Sequence, residues 1–333
     1  MILRNLNPLQ DDMPEAAQSL TVCPICHVVE TRPEFPDAQG PARKYPLVRC
    51  RRCELVFQER LEPEPEVAAP PSGTESDLLN RFGGIMERAI RLFRALRVRP
   101  ATRLLPPGGS TLDIGCGRGL YLGMLKKRGY QVRGTEFSAA TAASADPGVQ
   151  IDLGDVHPGR YPDESFDLIS IWHVLEHLHA PDVTLEACAL ALKKNGALMI
   201  AVPDYGSTQA RFGGEHWFHL NLPRHIFQFK RATLERLLSD HGFRIEHSRT
   251  GQLEMDPFGL LQTVLNRMGL RHNGLFDTLR NDESVKHDLS GLYRAAVLLL
   301  FPIGMLLATP VSLLLRALNR GGTLIVTARK LEG

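Results

Sequence analysis

The chain has almost no excess charge, because 39 Lys and Arg residues balance 37 Asp and Glu residues over 333 positions, leaving a net charge of +2. Nucleic-acid-binding domains concentrate positive charge, so this balance argues against a nucleic-acid partner. The first residues lack the apolar run of a secretion signal, and we therefore expect a cytoplasmic protein. No internal repeat of solenoid period is visible, and the length suits about two domains.

Cysteine is also scarce, but four of the six cysteines form two C-x-x-C pairs, Cys23/Cys26 and Cys50/Cys53. Without a secretion signal, thiolates that hold a metal are favoured over disulfides. Two such turns supply the four soft ligands that structural Zn²⁺ prefers, and the segment between them has few apolar residues to fold without a metal. We predict a zinc-ribbon-like domain over residues 1–62, with a redox dithiol as the alternative.

The surroundings of the cysteine pairs are read as solvent-facing. His27 is surplus to the four ligands, and the basic run Arg49, Arg51 and Arg52 is expected to be a solvated face rather than a contact to an anionic substrate or RNA. Proline-rich residues 63–74 predict a stiff linker. Apolar residues at helical spacing from 75 to 98 predict one or two helices that cover a pocket edge or pack on a sheet.

Residues 110–120, STLDIGCGRGL, predict a buried strand, a glycine turn and the start of a helix. Gly115, Gly117 and Gly119 keep side chains away from a ligand and allow the positive φ values of a tight turn. The free N–H groups of the helix start suit a carboxylate or a phosphate. Asp113, at the end of the strand, can accept a hydrogen bond from a cationic or hydroxyl group of that ligand.

This D-x-G-x-G-x-G pattern differs from the G-x-G-x-x-G of dinucleotide sites and resembles motif I of the class I S-adenosylmethionine-dependent methyltransferases. The next predicted strand ends at Glu136, where a carboxylate suits two ribose hydroxyls, although dinucleotide enzymes use the same device. The resemblance implies that Asp155, just past the third strand, accepts a hydrogen bond from the adenine amino group. Asp152 is the competing candidate, and a plain turn aspartate remains the other alternative.

Residues 166–178 contain F-D-x-I followed by H-x-L-E-H-L, which resembles the fourth-strand motif of small-molecule methyltransferases such as those acting on ubiquinone precursors. The motif lies at the carboxyl end of a strand, where open α/β sheets bind ligands. His173 is assigned to the cofactor site. His173 and His177 share one face of a helical turn, but H-E-x-x-H is absent and we do not expect a metal there.

A long loop after the fifth strand contains W-x-x-L-x-x-P-R-H, which resembles a signature of a methyltransferase branch associated with glycan and secondary-metabolite pathways. Loops rich in aromatic, His and Arg residues often contact substrate. The candidates for substrate contact are His216, Trp217, His219 and Arg224, with His225 as a catalytic candidate. The alternative is a loop that is simply packed by its own aromatic residues.

The alternation of strands and helices predicts a doubly wound, Rossmann-like parallel sheet over residues 75–250. The resemblance implies seven strands with an antiparallel last strand, supplied here by residues 321–333. Residues 251–320 are then a hydrophobic helical insertion between the sixth and seventh strands.

Within the insertion, residues 295–315 carry no charge and are flanked by Arg294 and Arg316. The run is long enough to cross a bilayer, but the last strand must return to the sheet, so we expect no single crossing. Pro302 and Pro310 are expected to break it into short helices. Two alternatives stay open: contact of 292–318 with the inner face of the membrane, or a cap packed on the protein or within a homodimer.

Together, the motifs imply methyl transfer from S-adenosylmethionine to a small-molecule, sugar or lipid-linked acceptor. Asp113 and the three glycines would hold the methionine end, Glu136 the ribose and Asp155 the adenine. A histidine near neutral pKa is the expected base, either His177 or His225, although a structural role for His177 is an equal alternative. The rival functions are an NAD-dependent oxidoreductase, a non-catalytic zinc-ribbon binding protein, and transfer to ribosomal RNA.

Overall fold

The structure is a computed structural model that describes residues 18–19, 22–40, 44–61, 75–280 and 291–331. The linker predicted at 63–74 lies outside the described residues. The N-terminal strands are β1 (Gln18–Ser19), β2 (Thr31–Phe35), β3 (Leu47–Cys50), β4 (Val56–Gln58) and β5 (Arg60–Leu61). Strands β2, β3 and β4 form an antiparallel sheet, and β1 pairs with β5.

The rest of the chain alternates strands and helices. Its strands are β6 (Ser110–Ile114), β7 (Gln131–Glu136), β8 (Gln150–Leu153), β9 (Phe166–Trp172), β10 (Leu192–Pro203), β11 (Phe227–Gln228), β12 (Phe243–Thr250) and β13 (Thr323–Lys330). Its helices are α1 (Glu75–Thr102), α2 (Leu120–Lys126), α3 (Ala139–Ala143), α4 (Pro181–Ala191), α5 (Thr208–Gly213), α6 (Arg231–Asp240), α7 (Asp256–Arg267), α8 (Gly274–Arg280) and α9 (Gly291–Ala317).

Seven strands form the central sheet in the order β12-β13-β10-β9-β6-β7-β8. The strands from β6 to β10 run parallel, whereas β13 is antiparallel to both β10 and β12. β9 is buried along nearly its whole length, as expected for a central parallel strand covered on both faces. The predicted seven-stranded sheet with an antiparallel last strand is therefore confirmed.

The N-terminal sheet continues into the core domain through β11. Phe227 and Gln228 pair antiparallel with Phe57 and Val56 of β4. The buried Gln58 side chain donates hydrogen bonds from Nε2 to the carbonyl oxygens of Pro223, at 2.5 Å, and His225, at 3.0 Å. The cysteine-bearing module is thus joined directly to the loop that leads into β11.

Arg49 differs from its predicted solvated position. Its guanidinium is buried, donates from Nε to Glu34 at 2.8 Å and from Nη1 to Glu54 at 3.0 Å, and Glu34 also accepts from the Tyr205 hydroxyl. Arg51 and Arg52 are exposed, as expected. The position in the strand accounts for the difference, because Arg49 lies within β3, whose four residues are all buried, whereas the other two arginines follow the strand.

The insertion between β12 and β13 contains α7, α8 and α9. Helix α9 is continuous through Pro302 and Pro310, so the prediction that these prolines break the run is wrong. Both prolines are exposed, and each removes one backbone N–H donor from the helix. Among the described residues, α9 is the one helix long and apolar enough to cross a membrane by length and composition.

Replacing Gln58 by alanine should lower the free energy of unfolding by about 2–3 kcal/mol, because the Pro223 carbonyl loses this donor and the His225 carbonyl keeps only the longer 3.3 Å bond from Gln228 Nε2. Urea denaturation followed by tryptophan fluorescence measures this loss. Arg32→Ala is the control, since Arg32 makes only a half-exposed 3.8 Å ion pair with Glu54, and a loss below about 1 kcal/mol is expected. Equal losses in the two variants would contradict the role given to Gln58.

Candidate functional site

The glycine turn between β6 and α2 brings the backbone to the floor of a cavity. Gly115, Gly117 and Gly119 have φ values of 68°, 57° and 67°, a region that side-chain-bearing residues rarely adopt. A Cβ on Gly115 would overlap the Val174 side chain, whereas the space in front of Gly117 is open to 4 Å. The turn therefore leaves room for a ligand that approaches the main chain closely.

Asp113 lies at the end of β6 beside this turn. Its buried carboxylate accepts a 2.5 Å hydrogen bond from the Ser170 hydroxyl of β9. Burial raises the pKa of Asp113 to about 6. Asp113 lines a cavity of about 260 Å³ together with Gly115, Gly117, Trp172 and, among its three arginines, Arg94 and Arg97.

Those arginines, Arg94 and Arg97 of α1, were not predicted as site residues. Both contact the carboxylate of Glu254, and the Arg97 guanidinium also lies 4.7 Å from the centre of the Trp172 ring. Burial lowers the pKa of Arg97 to about 10. Burial alone would raise the pKa of Glu254, but the charges of Arg97 and Arg94 outweigh it and lower that pKa. Both arginines belong to the predicted helical pattern of α1, but the local sequence does not indicate that they pair with Glu254, which lies much later in the chain.

Glu136 and Asp155 are the two acidic residues predicted to bind the nucleoside of the cofactor. The Glu136 carboxylate accepts hydrogen bonds from the backbone N–H groups of Gly117 at 2.9 Å, Phe137 at 2.9 Å and Ser138 at 3.1 Å. Both acidic residues line a larger cavity of about 910 Å³. The competing candidate Asp152 lies apart from this lining and is held by Arg133 at 2.5 Å and Tyr161 at 2.8 Å.

The larger cavity extends from Gly115 and Glu136 to the histidine-rich loop. The predicted residues that line it are Gly115, Glu136, Asp155, His173, His177, His219, Arg224 and His225. His216 and Trp217 are not in this lining: Trp217 is fully buried 6.0 Å from the Tyr205 ring, and His216 is partly exposed beside Glu215. The loop thus combines the two alternatives, with some side chains facing the cavity and Trp217 packing the interior.

His177 and His225 are oriented by backbone carbonyls. His177 Nδ1 lies 2.9 Å from the Arg224 oxygen, and His225 Nδ1 lies 2.8 Å from the His219 oxygen. A carbonyl only accepts, so both Nδ1 atoms carry the proton and both Nε2 atoms keep a lone pair. The rings meet edge to face at 4.6 Å. Burial lowers the pKa of both histidines, which favours neutral rings that can accept a proton.

Glu176 adds an unpartnered carboxylate to the same place, which the sequence did not single out. It is 1% exposed, and neither oxygen has a hydrogen-bond partner among the described residues. One Glu176 oxygen and a ring nitrogen from each of His177 and His225 lie within 4.8 Å of one another, so this set could also hold a metal ion. His173, with φ 57°, lies beside it, its Nδ1 3.7 Å from Glu176 and its Nε2 2.8 Å from Gln252.

The four cysteines of the N-terminal module form a second cluster. Cys23 and Cys53 Sγ atoms are 3.5 Å apart, Cys26 and Cys50 Sγ atoms are 3.4 Å apart, and all four lie within 4.8 Å of one another. A tetrahedral site with zinc–sulfur bonds of about 2.3 Å requires sulfur separations of about 3.8 Å, so the donor set fits Zn²⁺ with no open position. His27 is exposed next to the cluster.

Comparison with known proteins agrees with this geometry. A family model described as a methyltransferase domain matches residues 85–248. Ubiquinone biosynthesis O-methyltransferases from Azoarcus sp. and Xanthomonas euvesicatoria are 31% and 29% identical over 41% and 44% of this chain. These matches span 65% and 67% of the relatives' own length.

A solved structure of a S-adenosylmethionine-dependent methyltransferase from Archaeoglobus fulgidus is similar at 19% identity and a TM-score of 0.45, covering 72% of this chain and 93% of that one. Independently of that likeness, the seven-stranded sheet, the antiparallel β13 and the glycine turn at the carboxyl end of β6 agree with the sequence motifs. With the family match, they show that residues 85–248 form a class I S-adenosylmethionine-dependent methyltransferase domain.

Proposed function

We propose that this protein transfers a methyl group from S-adenosylmethionine to a hydroxyl group of a small-molecule acceptor. One observation carries the proposal: Gly115 of the glycine turn, Glu136 and Asp155 line the same cavity as His177 and His225. A cofactor site and a group able to take up a proton are therefore continuous. The names of the curated relatives, ubiquinone biosynthesis O-methyltransferases, support oxygen as the acceptor atom.

The residues around the turn offer a polar partner for the methionine, ribose and adenine parts of the cofactor. Arg94 and Arg97 would bind the methionine carboxylate, and Asp113 would accept from its ammonium group. Glu136 would accept from the ribose hydroxyls and Asp155 from the adenine amino group. The open space in front of Gly117 leaves room for the cofactor against the main chain.

When bound, S-adenosylmethionine supplies a methyl group on a sulfonium, which is already activated for displacement. The chain's own contribution is then to align the acceptor oxygen and to remove its proton. His177 and His225 present neutral Nε2 atoms for that proton, and the buried Glu176 carboxylate next to them stabilises the resulting imidazolium. Apolar residues of the cavity, such as Val156, Val183 and Met255, suit an acceptor with a substantial apolar part.

Calorimetric titration tests the cofactor site. We expect S-adenosylmethionine to bind in the range of tens of micromolar or tighter, and Glu136→Ala to weaken binding by about tenfold or more, because charge-assisted hydrogen bonds to the ribose are lost. Glu186→Ala, at an exposed position of α4, should bind like the unmodified protein. Binding of NAD instead of S-adenosylmethionine would overturn the proposal.

Substitution of the two histidines tests the acceptor site. His177→Gln and His225→Gln should each lower kcat by about 10²–10⁴, because a general base is lost, with little change in cofactor affinity. The exposed His247→Gln is the control. Because burial lowers the pKa of His177 from its usual 6.5, the base stays neutral at neutral pH, and activity should fall only as the pH drops below that value.

Methylated product can be measured by mass spectrometry over a panel of alkyl-substituted phenols and catechols, with EDTA or with added Mg²⁺. Loss of activity in EDTA and recovery with Mg²⁺ would show that the Glu176, His177 and His225 set acts through a bound cation. Unchanged kcat in both histidine variants would contradict any role for this cluster in activating the acceptor.

We also propose that Cys23, Cys26, Cys50 and Cys53 hold one structural Zn²⁺. Cys50→Ala should lose the metal and lower the melting temperature, because the module has few apolar residues to replace it. Elemental analysis should find one zinc per chain in the unmodified protein and in Cys188→Ala, whose buried cysteine lies in α4 outside the cluster. Retention of a full equivalent of zinc in Cys50→Ala would contradict this assignment.

A further inference from the structure

Helix α9 is attached to the domain along its whole length. Phe301 packs 6.4 Å from Phe258 of α7, and Ala308 and Ser312 are buried against the protein. Further close approaches occur between Tyr293 and Gly274, between Gly304 and Leu261, and between Arg316 and Gly251. Because both ends and the middle of α9 touch the folded domain, the helix cannot cross a bilayer without drawing α7 and α8 into it.

The opposite side of α9 is apolar and exposed. From 295 to 314, every exposed residue is Ala, Leu, Ile, Val or Pro. The large side chains of this outward face are between 44% and 82% exposed: Leu292, Leu299, Leu300, Ile303, Leu306, Leu307, Val311, Leu313, Leu314 and Leu318. Soluble monomers rarely expose a contiguous apolar patch of more than a few hundred Å², so this face requires a covering partner.

The charged residues beside this apolar face indicate which kind of partner could cover it. In α9 and the turn that follows it, residues 291–322, the charged side chains are Arg294, Arg316 and Arg320, and the first two mark the ends of the apolar run. Two copies pairing through this face would bring arginines of the same sign together with no acidic residue of the segment to offset them. An anionic lipid surface instead offers acyl chains to the leucines and phosphates to the arginines.

We propose that α9 lies flat in the surface of an anionic lipid membrane, with its outward face in the acyl boundary and Arg294, Arg316 and Arg320 at the headgroups. An ordinary interfacial helix has a polar face that points to water. In this protein, the folded domain packed against α9 occupies that side of the helix. The proposal concerns binding to lipid and holds whether or not methyl transfer is the activity.

The membrane-facing helix lies one layer from the larger cavity. Phe258 of α7 packs against Phe301 of α9 on one side and against Phe218 on the other, at 5.3 Å. Phe218 precedes His219, and Gly259 of α7 approaches the His219 ring so closely that a Cβ there would overlap it. If the proposed function holds, docking through α9 sets the cavity beside the lipid surface from which an apolar acceptor would enter.

Vesicle flotation of the full chain tests the docking. We expect the protein to float with vesicles of phosphatidylcholine mixed with phosphatidylglycerol, and at least about tenfold less with phosphatidylcholine alone, because the arginines lose their anionic partners. The double variant Leu299→Glu and Leu306→Glu should lose about tenfold or more of its binding. The matched control is Leu190→Glu with Leu331→Glu, two exposed leucines outside α9, and it should float normally.

Two further measurements decide between the alternatives. Alkaline carbonate should release the protein from the vesicles, and light scattering in solution should show the same oligomeric state for the unmodified chain and the Leu299/Leu306 variant. A protein that stays in the bilayer after carbonate would overturn the flat orientation. A stable dimer that dissociates in the Leu299/Leu306 variant and does not float would overturn the membrane as the partner, and circular dichroism excludes misfolding as the cause.

Discussion

The pairing of β4 with β11 is the contact on which the acceptor side of the site depends. Only two residues on each strand pair, but Gln58 extends the connection by binding the carbonyl oxygens of Pro223 and His225. The N-terminal module therefore fixes the backbone from which the His225 ring projects. Without that support the loop would be a long surface segment that is not part of any sheet. Such segments rarely hold side chains in the precise positions that catalysis requires.

The cofactor side is held differently, by the convergence of parallel strands. β6, β7 and β9 end at the same edge of the sheet, and their last residues or the turns that follow carry Asp113, Glu136 and His173. Ser170 of β9 binds Asp113 of β6, so neighbouring strands fix each other's side chains. In the proposed function, a rigid sheet edge would position the cofactor, whereas a loop held by the N-terminal module would position the groups that act on the acceptor.

The sequence predicted those features that depend on residues close together in the chain. The bounds of β9 and the placing of Glu136 and Asp155 at the cavity follow from apolar runs and from residues just past strand ends. Arg97 with Glu254, Arg49 with Glu34, and the unpartnered Glu176 could not be predicted, because each depends on segments brought together by the fold. The continuity of α9 was missed for a similar reason, since only packing shows that its prolines face outward.

The segment between β12 and α7 connects α9 to the residues around the smaller cavity. Asp256 at the start of α7 accepts 2.7 Å hydrogen bonds from Gly322 N–H and the Thr323 hydroxyl, where the chain returns from α9 to the sheet. Two residues earlier, Glu254 binds Arg94 and Arg97, and Gln252 binds His173. A displacement of α9 would act on the start of α7 and hence on these cofactor-side contacts. This short stretch of backbone therefore links the position of α9 to Arg94, Arg97 and His173, which line the smaller cavity.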